Sequence, residues 1–288
     1  MAASSSSSRP TYRDLISQDN PQFKRHDVSK PPRGKVFITR YTPSLFLQTT
    51  RDTVVIYSTF AKAKYGELAP CHLTDERGRF VSNIFQFSKV FKDVDKQEQK
   101  IGNDNFSCRW QHQAEHHLNP DTKLIRQAYW TWREKGMTNI HSVLYPNGFM
   151  KSENYIGFLI ETIPSDDFVY CVNLQTREPY RMLDTISARK QILCPLYTRL
   201  CVKHPKFLEL KNLIELGTNI IVVVDQDGPQ QSWYSKIPLI SPKFTRPEII
   251  QIDCKETIQY FLNDPTHPFN HGYMIAALLH DMTGSWLE

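Results

Sequence analysis

The chain has 288 residues, 40% hydrophobic and 23% charged, with a formal charge of +5. That is long enough for a sizeable core and ordinary for a globular protein. The mild positive balance permits an anionic nucleotide or nucleic acid as partner, but acidic and basic residues alternate and no basic block marks a dedicated DNA-binding surface.

Residues 1–35 hold a serine tract and Pro10, Pro21, Pro31 and Pro32, which predicts a disordered N-terminal arm. The start lacks the hydrophobic segment of a secretory signal, and no apolar run nears the ~20 residues of a membrane helix. Six scattered cysteines without a CxxC pair point to reduced thiols and a cytoplasmic or nuclear location. Residues 36–288 show neither an internal repeat nor a dividing linker and read as one domain.

Strands are predicted at 36–41 and 53–59, and DERGR at 75–79 reads as a hairpin-like turn. The segment 82–91 places Ile84, Phe87 and Phe91 at helical spacing behind Ser82 or Asn83 as N-cap. On that helix Gln86 and Lys89, three apart, share a second face. Residues 93–100 are charged and solvated. The following loop contains WQHQAEHH, where His112 and His116 have the i,i+4 spacing of a metal pair on a helix and His117 follows. A third ligand at a diagnostic spacing is missing, so surface or loop histidines are expected, with no metal.

A helix is expected at 122–136, buried through Leu124, Ala128 and Trp132 and stopped by Gly136. A turn at Pro146-Asn147-Gly148 and strands at 155–162 and 168–174 follow. The stretch 184–203 reads as a long helix capped by Asp184, kinked or broken at Pro195, with Cys194 and Cys201 on its buried stripe. His204-Pro205 then punctuates, and a helix at 206–216 ends at Gly217.

The run Ile220 to Val224 is too short for an ordinary helix and fits a strand buried on both faces. It ends in Asp225, Asp227, Gly228 and Pro229, with Trp233 beyond. Buried strands often deliver chemistry at their carboxyl ends; the alternative is an Asp-Gly-Pro turn that solvates the strand end. A proline-rich loop at 238–247, a helix at 256–263 and an apolar helix at 273–280 complete the chain, with Asn270 and His271 as candidate caps of the last helix. The fold class expected is α+β, a mainly helical single domain around a small β-sheet.

Several of these pieces, taken in order, resemble the NADAR/YbiA-like N-glycosidases. Gly78 precedes Ile84-Phe85-Gln86-Phe87-Ser88-Lys89, similar to that family's aromatic-Phe-Gln-x-x-Lys helix after a glycine turn. His204-Pro205, Gly217, Asp225 and Trp233 follow in the family order, Trp233 eight residues after the acid. Asn270 and Gly272 start the apolar terminal helix. The resemblance runs from about residue 65 to 279, with insertions at 93–180 and 234–265. Two positions depart from it: Ser82 stands where the family has a glutamate, and Asp225 replaces a glutamate after the strand.

The resemblance implies a YbiA-like fold and cleavage of an N-ribosidic bond in an ADP-ribosyl or nucleotide-like substrate, without cofactor. A carboxylate stabilises the oxocarbenium-like ribose as the base departs. Asp225 is the first candidate, with Asp227 and Glu67 in reserve. Lys89 would hold a phosphate or ribose oxygen, or form a covalent adduct if burial lowered its pKa. Gln86, Trp233, Asn270 and Gly272 would bind substrate, Trp233 by stacking on a base. The partner is then a small nucleotide or ADP-ribosylated base, with modified nucleic acid as a further possibility. The alternative, motivated by Ser82, is an inactive relative that recognises ADP-ribose-type ligands.

Overall fold

Four short segments rich in β-branched residues make the central sheet: β1 (Val36–Arg40), β2 (Thr53–Tyr57), β7 (Asn219–Val224) and β8 (Ile249–Ile252). These belong to a computed structural model that describes residues 32–42, 47–57, 63–96, 110, 112–148, 151, 153–160, 182–224, 228–230, 249–282 and 286. The serine tract, the predicted strand at 168–174 and the proline-rich loop at 238–247 lie outside those residues. The strand order is β2-β7-β1-β8, with β7 parallel to both neighbours and β8 antiparallel to β1. In β7 the successive residues Val223 and Val224 are both buried, so both faces of the sheet are covered at that end.

Two smaller pairings stand apart from this sheet. β3 (Lys89–Phe91) pairs antiparallel with β6 (Tyr155–Phe158), and β4 (Asp93–Val94) with β5 (Glu115–His116). The helices are α1 (Val81–Gln86), α2 (Gln127–Met137), α3 (Thr185–Ala188), α4 (Cys194–Cys201), α5 (Pro205–Glu215), α6 (Lys255–Leu262) and α7 (His271–Leu279). Every residue of α7 is buried, because it packs on β1 and β7 and is flanked by α4, α5 and α6. A single hydrophobic cluster runs from Val36 to Trp286. Mixed helices and small sheets make the class α+β. Among the described residues, no helix is long and apolar enough to cross a membrane.

The helix expected at 82–91 is half that long. α1 starts from Phe80 without a side-chain cap and ends at Gln86. Ser88 turns the chain: its Oγ donates to Ile84 O at 2.7 Å, and its own carbonyl accepts from Leu159 N–H at 2.8 Å. Lys89, Val90 and Phe91 then extend as a strand. Neither expected cap residue caps. Asn83 is fully buried and pins residues 139–143, donating to His141 O (2.9 Å) and accepting from Val143 N–H (2.7 Å).

Gly136 does not stop α2 either. It lies inside the helix, where a Cβ would fall 2.0 Å from the ring of Phe87. That ring is wedged between Trp110 (4.9 Å between centroids) and Trp132 (4.7 Å) and has no room to yield. Gly136→Ala gains helix propensity but overpacks this cluster. The expected result is a net loss of about 1–2 kcal/mol in chemical denaturation; a stabilised variant would show that the ring moves freely.

The long helix around Pro195 neither breaks nor stays regular. A π-turn at Arg189–Leu193 joins α3 to α4. Proline lacks an N–H and crowds the carbonyl four residues back, and the wider turn just before Pro195 relieves both. Cys194 and Cys201 are fully buried as expected.

Candidate functional site

Lys89 is the most unusual side chain of the family-like motif. All three residues of β3 are buried, and Lys89 is only 6% exposed. Its register partner is Phe158, on which Phe85 stacks at 5.1 Å. The Lys89 ammonium lies 4.6 Å from the centroid of the Tyr155 ring, a cation–π placement. Burial pushes its pKa down to about 8, with Glu153 pulling the other way. At pH 7 a pKa of about 8 leaves roughly a tenth of this amine unprotonated, far more than in an ordinary lysine.

Tyr155 carries the site onward. Its hydroxyl meets Thr185 Oγ1 at 3.0 Å, on the first residue of α3. Asp184 caps that helix, accepting from Ser187 N–H (2.8 Å) and Ser187 Oγ (3.0 Å). One turn further along, Arg189 is 5% exposed. Its guanidinium donates to the carbonyls of Leu262 (3.2 Å), Asp264 (2.6 Å) and His267 (2.7 Å). Burial lowers the Arg189 pKa, while Tyr155 and Asp264 counter it. This clamped loop leads straight into α7. Arg189, Tyr155 and Thr185 escaped the sequence reading; an arginine inside an amphipathic helix looks like a solvated residue.

The other expected residues fall in several places. Gln86 is the last residue of α1, and Lys89 sits on β3, so they do not share a helix face. The Gln86 Oε1 is buried with no hydrogen-bond partner among the described residues. A buried acceptor in that state calls for a donor from water or a ligand. Asn270 is the N-cap of α7, its Oδ1 accepting from Gly272 N–H at 2.9 Å, and Gly272 is buried in the first turn. Glu67 is exposed on a short 3₁₀ turn (Gly66–Leu68), 3.8 Å from His204 Nε2. His204 caps α5, its Nδ1 accepting from Lys206 N–H, which leaves the Nε2 proton facing Glu67. Asp225, Asp227 and Trp233 lie outside the described residues. Ser82 shares a 2.8 Å hydrogen bond with Ser142 Oγ.

The histidines separate. His112 and His116 are not on a helix; His112 bonds the carbonyls of Gln113 and Pro146, and His116 pairs with Asp93 at 2.5 Å. His117 is fully buried beside Phe91, Tyr129 and Trp132, with Nδ1 accepting from Phe91 N–H at 3.1 Å. Burial holds its pKa down at about 3, so it is a neutral core residue. Among the described residues, no group of three or more His, Cys, Asp or Glu is placed to hold a metal ion.

No family model, curated protein or solved structure matches the chain.

Proposed function

We propose that this chain is a YbiA-like N-glycosidase of the cytoplasm or nucleus that hydrolyses an N-ribosidic bond in an ADP-ribosyl or nucleotide-like substrate. The observation that supports this reading is Lys89, a buried amine with its pKa lowered to about 8 and an aromatic ring against it. The chemistry follows from the state of that amine. Its lone pair attacks C1′ of the ribose as the C1′–N bond breaks, and the base departs with the bonding pair and takes up a proton. The amine sheds a proton as the new C–N bond forms, and water then displaces the lysine. Asp225 is the carboxylate assigned to the positive charge that builds on the ribose.

A second reading is favoured by Ser82. At the family's glutamate position it offers a hydroxyl paired with Ser142, not a carboxylate. On that reading the chain recognises ADP-ribose-type ligands without cleaving them.

One experiment separates the two. ADP-ribosylated bases and nucleotides are incubated with the chain and free base is followed by mass spectrometry. The enzyme reading expects release that falls at least 100-fold in both Lys89→Met and Asp225→Asn, in line with loss of a nucleophile or a charge-stabilising group. Ligand binding by calorimetry with no base released supports the binding reading. Release that both variants leave intact removes Lys89 and Asp225 from the chemistry.

A further inference from the structure

The edge of the central sheet holds a second feature that the Lys89 seam does not use. Among the described residues β2 pairs with β7 alone, and residues 47–50 make hydrogen bonds to it. Thr50 N–H donates to Thr53 O (2.8 Å), Val55 N–H to Thr49 Oγ1 (3.2 Å) and Tyr57 OH to Leu47 O (2.9 Å). Such cover blunts an edge against strand pairing. It also leaves a half-open cleft of about 420 Å³ between this segment, the carboxyl half of β2 and residues 63–65. That volume falls in the range of small-molecule sites. Because β2 and β7 run parallel with Tyr57 opposite Val223, their carboxyl ends lie on the same side of the sheet, where open sheets with parallel strands hold ligands.

The lining has a definite chemistry. Tyr57 supplies aromatic surface, Val55 and Leu47 apolar contact and Gln48 an amide, while Tyr65, only 3% exposed, closes the floor. Lys64 is held at the rim: its ammonium lies 5.0 Å from the Tyr65 ring centroid and 2.5 Å from Glu209 Oε1. The Tyr65 hydroxyl donates to the same carboxylate at 3.0 Å, and Lys206 approaches its other oxygen at 3.9 Å. Two ammonium groups thus share one carboxylate, and Lys64, whose side chain is 62% exposed, is the one that borders the cleft.

We infer that this cleft at the carboxyl end of β2 binds a planar aromatic ring bearing one anionic group, the ring against Tyr57 and the anion at Lys64. A nucleoside monophosphate and an aromatic carboxylate both carry that chemistry. The site shares no residue with the Lys89 seam and does not depend on N-glycosidase activity.

The test is calorimetric titration of the full chain with adenosine 5′-monophosphate, adenosine and indole-3-carboxylate. The two anions bind, and adenosine, which lacks the charge, binds at least fivefold more weakly. If the monophosphate binds tighter than the carboxylate, the occupant is a nucleotide; the reverse order makes it an aromatic acid. Lys64→Met, at a mostly exposed position, weakens both anions at least fivefold. Tyr57→Leu removes a wall and weakens all three probes, while Tyr57→Phe keeps the ring and restores binding. The absence of binding by either anion at 5 mM, a ceiling of about 3 kcal/mol of affinity, overturns the inference. So does anion binding that Lys64→Met and Tyr57→Leu leave unchanged. Anion binding lost in Lys89→Met but kept in Lys64→Met also overturns it, by locating the ligand at the β3–β6 seam, and leaves the proposed function standing. Loss of binding in Lys64→Met with base release unaltered supports the cleft whatever becomes of that function.

Discussion

Lys89→Met is expected to make the protein more stable at pH 7, by about 2–3 kcal/mol, while abolishing the base release proposed for it. In the folded chain the Lys89 pKa is pushed from 10.5 to about 8 by burial. The gap between those two values corresponds to roughly 3 kcal/mol, and loss of the contact with the Tyr155 ring takes back part of it. Methionine has similar length and no charge to desolvate, so it fills the same space. The sign follows from proton counting. Between pH 8 and 10.5 the unfolded chain holds a proton on Lys89 that the folded chain has released, so wild-type stability climbs with pH across that window. The advantage of the variant is therefore complete at pH 7, shrinks through the window and is gone above it. Denaturation curves at pH 7 and pH 10.5 measure this directly. A variant less stable than wild type at both values would mean that Lys89 is a structural cation, and the nucleophile assignment would fall with it.

That cost also bears on why a lysine stands on this strand. A buried amine that destabilises the fold at neutral pH is retained against stability, as functional groups often are. A leucine in its place would give β3 three apolar residues and a better core.

How far the sequence disclosed this arrangement depends on which physical signal each part rests on. β7 was legible because a β-branched run bounded by Gly217 and Asp225 has few alternatives, and α7 because an apolar stretch behind Asn270 has a ready cap. The end of α1 was not. Ile84, Phe87 and Phe91 satisfy helical spacing, yet the core also receives all three from a short helix followed by a strand. What decides between these is Ser88, whose side chain and carbonyl are both taken up locally and by Leu159, a partner 71 positions away. Gly136 failed for a related reason. A glycine near the end of a helical pattern usually signals a stop, but this one exists for the approach of Phe87 from another element. β8 went unnoticed because four residues, Ile-Ile-Gln-Ile, carry too little periodicity to stand out. At the site, Lys89 was found through motif order, whereas Tyr155, Thr185 and Arg189 are assembled by tertiary contacts that leave no local pattern. The histidines show the converse: HxxxH spacing is informative only on a helix, and here His112, His116 and His117 each turn to a separate partner.

Arg189→Ala is expected to cost about 4 kcal/mol, the largest loss among these substitutions. The guanidinium serves three backbone carbonyls, those of Leu262, Asp264 and His267, inside a region where it is almost wholly screened from water. Charge-assisted hydrogen bonds contribute about 1.5–3 kcal/mol each, and stranding their acceptors adds a desolvation penalty. Part of this is recovered because removing the charge also removes its own burial cost. Arg189→Lys recovers little, since a single ammonium on a shorter stem cannot span three acceptors that a planar fork reaches together. The effect should be directional as well as large. The freed segment leads into Asn270 and Gly272 at the start of α7, and its other side reaches Tyr155 through α3. Amide hydrogen exchange in Arg189→Lys, measured where the fold persists, should therefore speed up at 262–270 while β1 and β7 stay protected. If base release or ligand binding falls in step with that loosening, Arg189 is a positioning residue that couples the terminal helix to the Lys89 seam. Uniform faster exchange across the sheet would instead make it a general brace of the core.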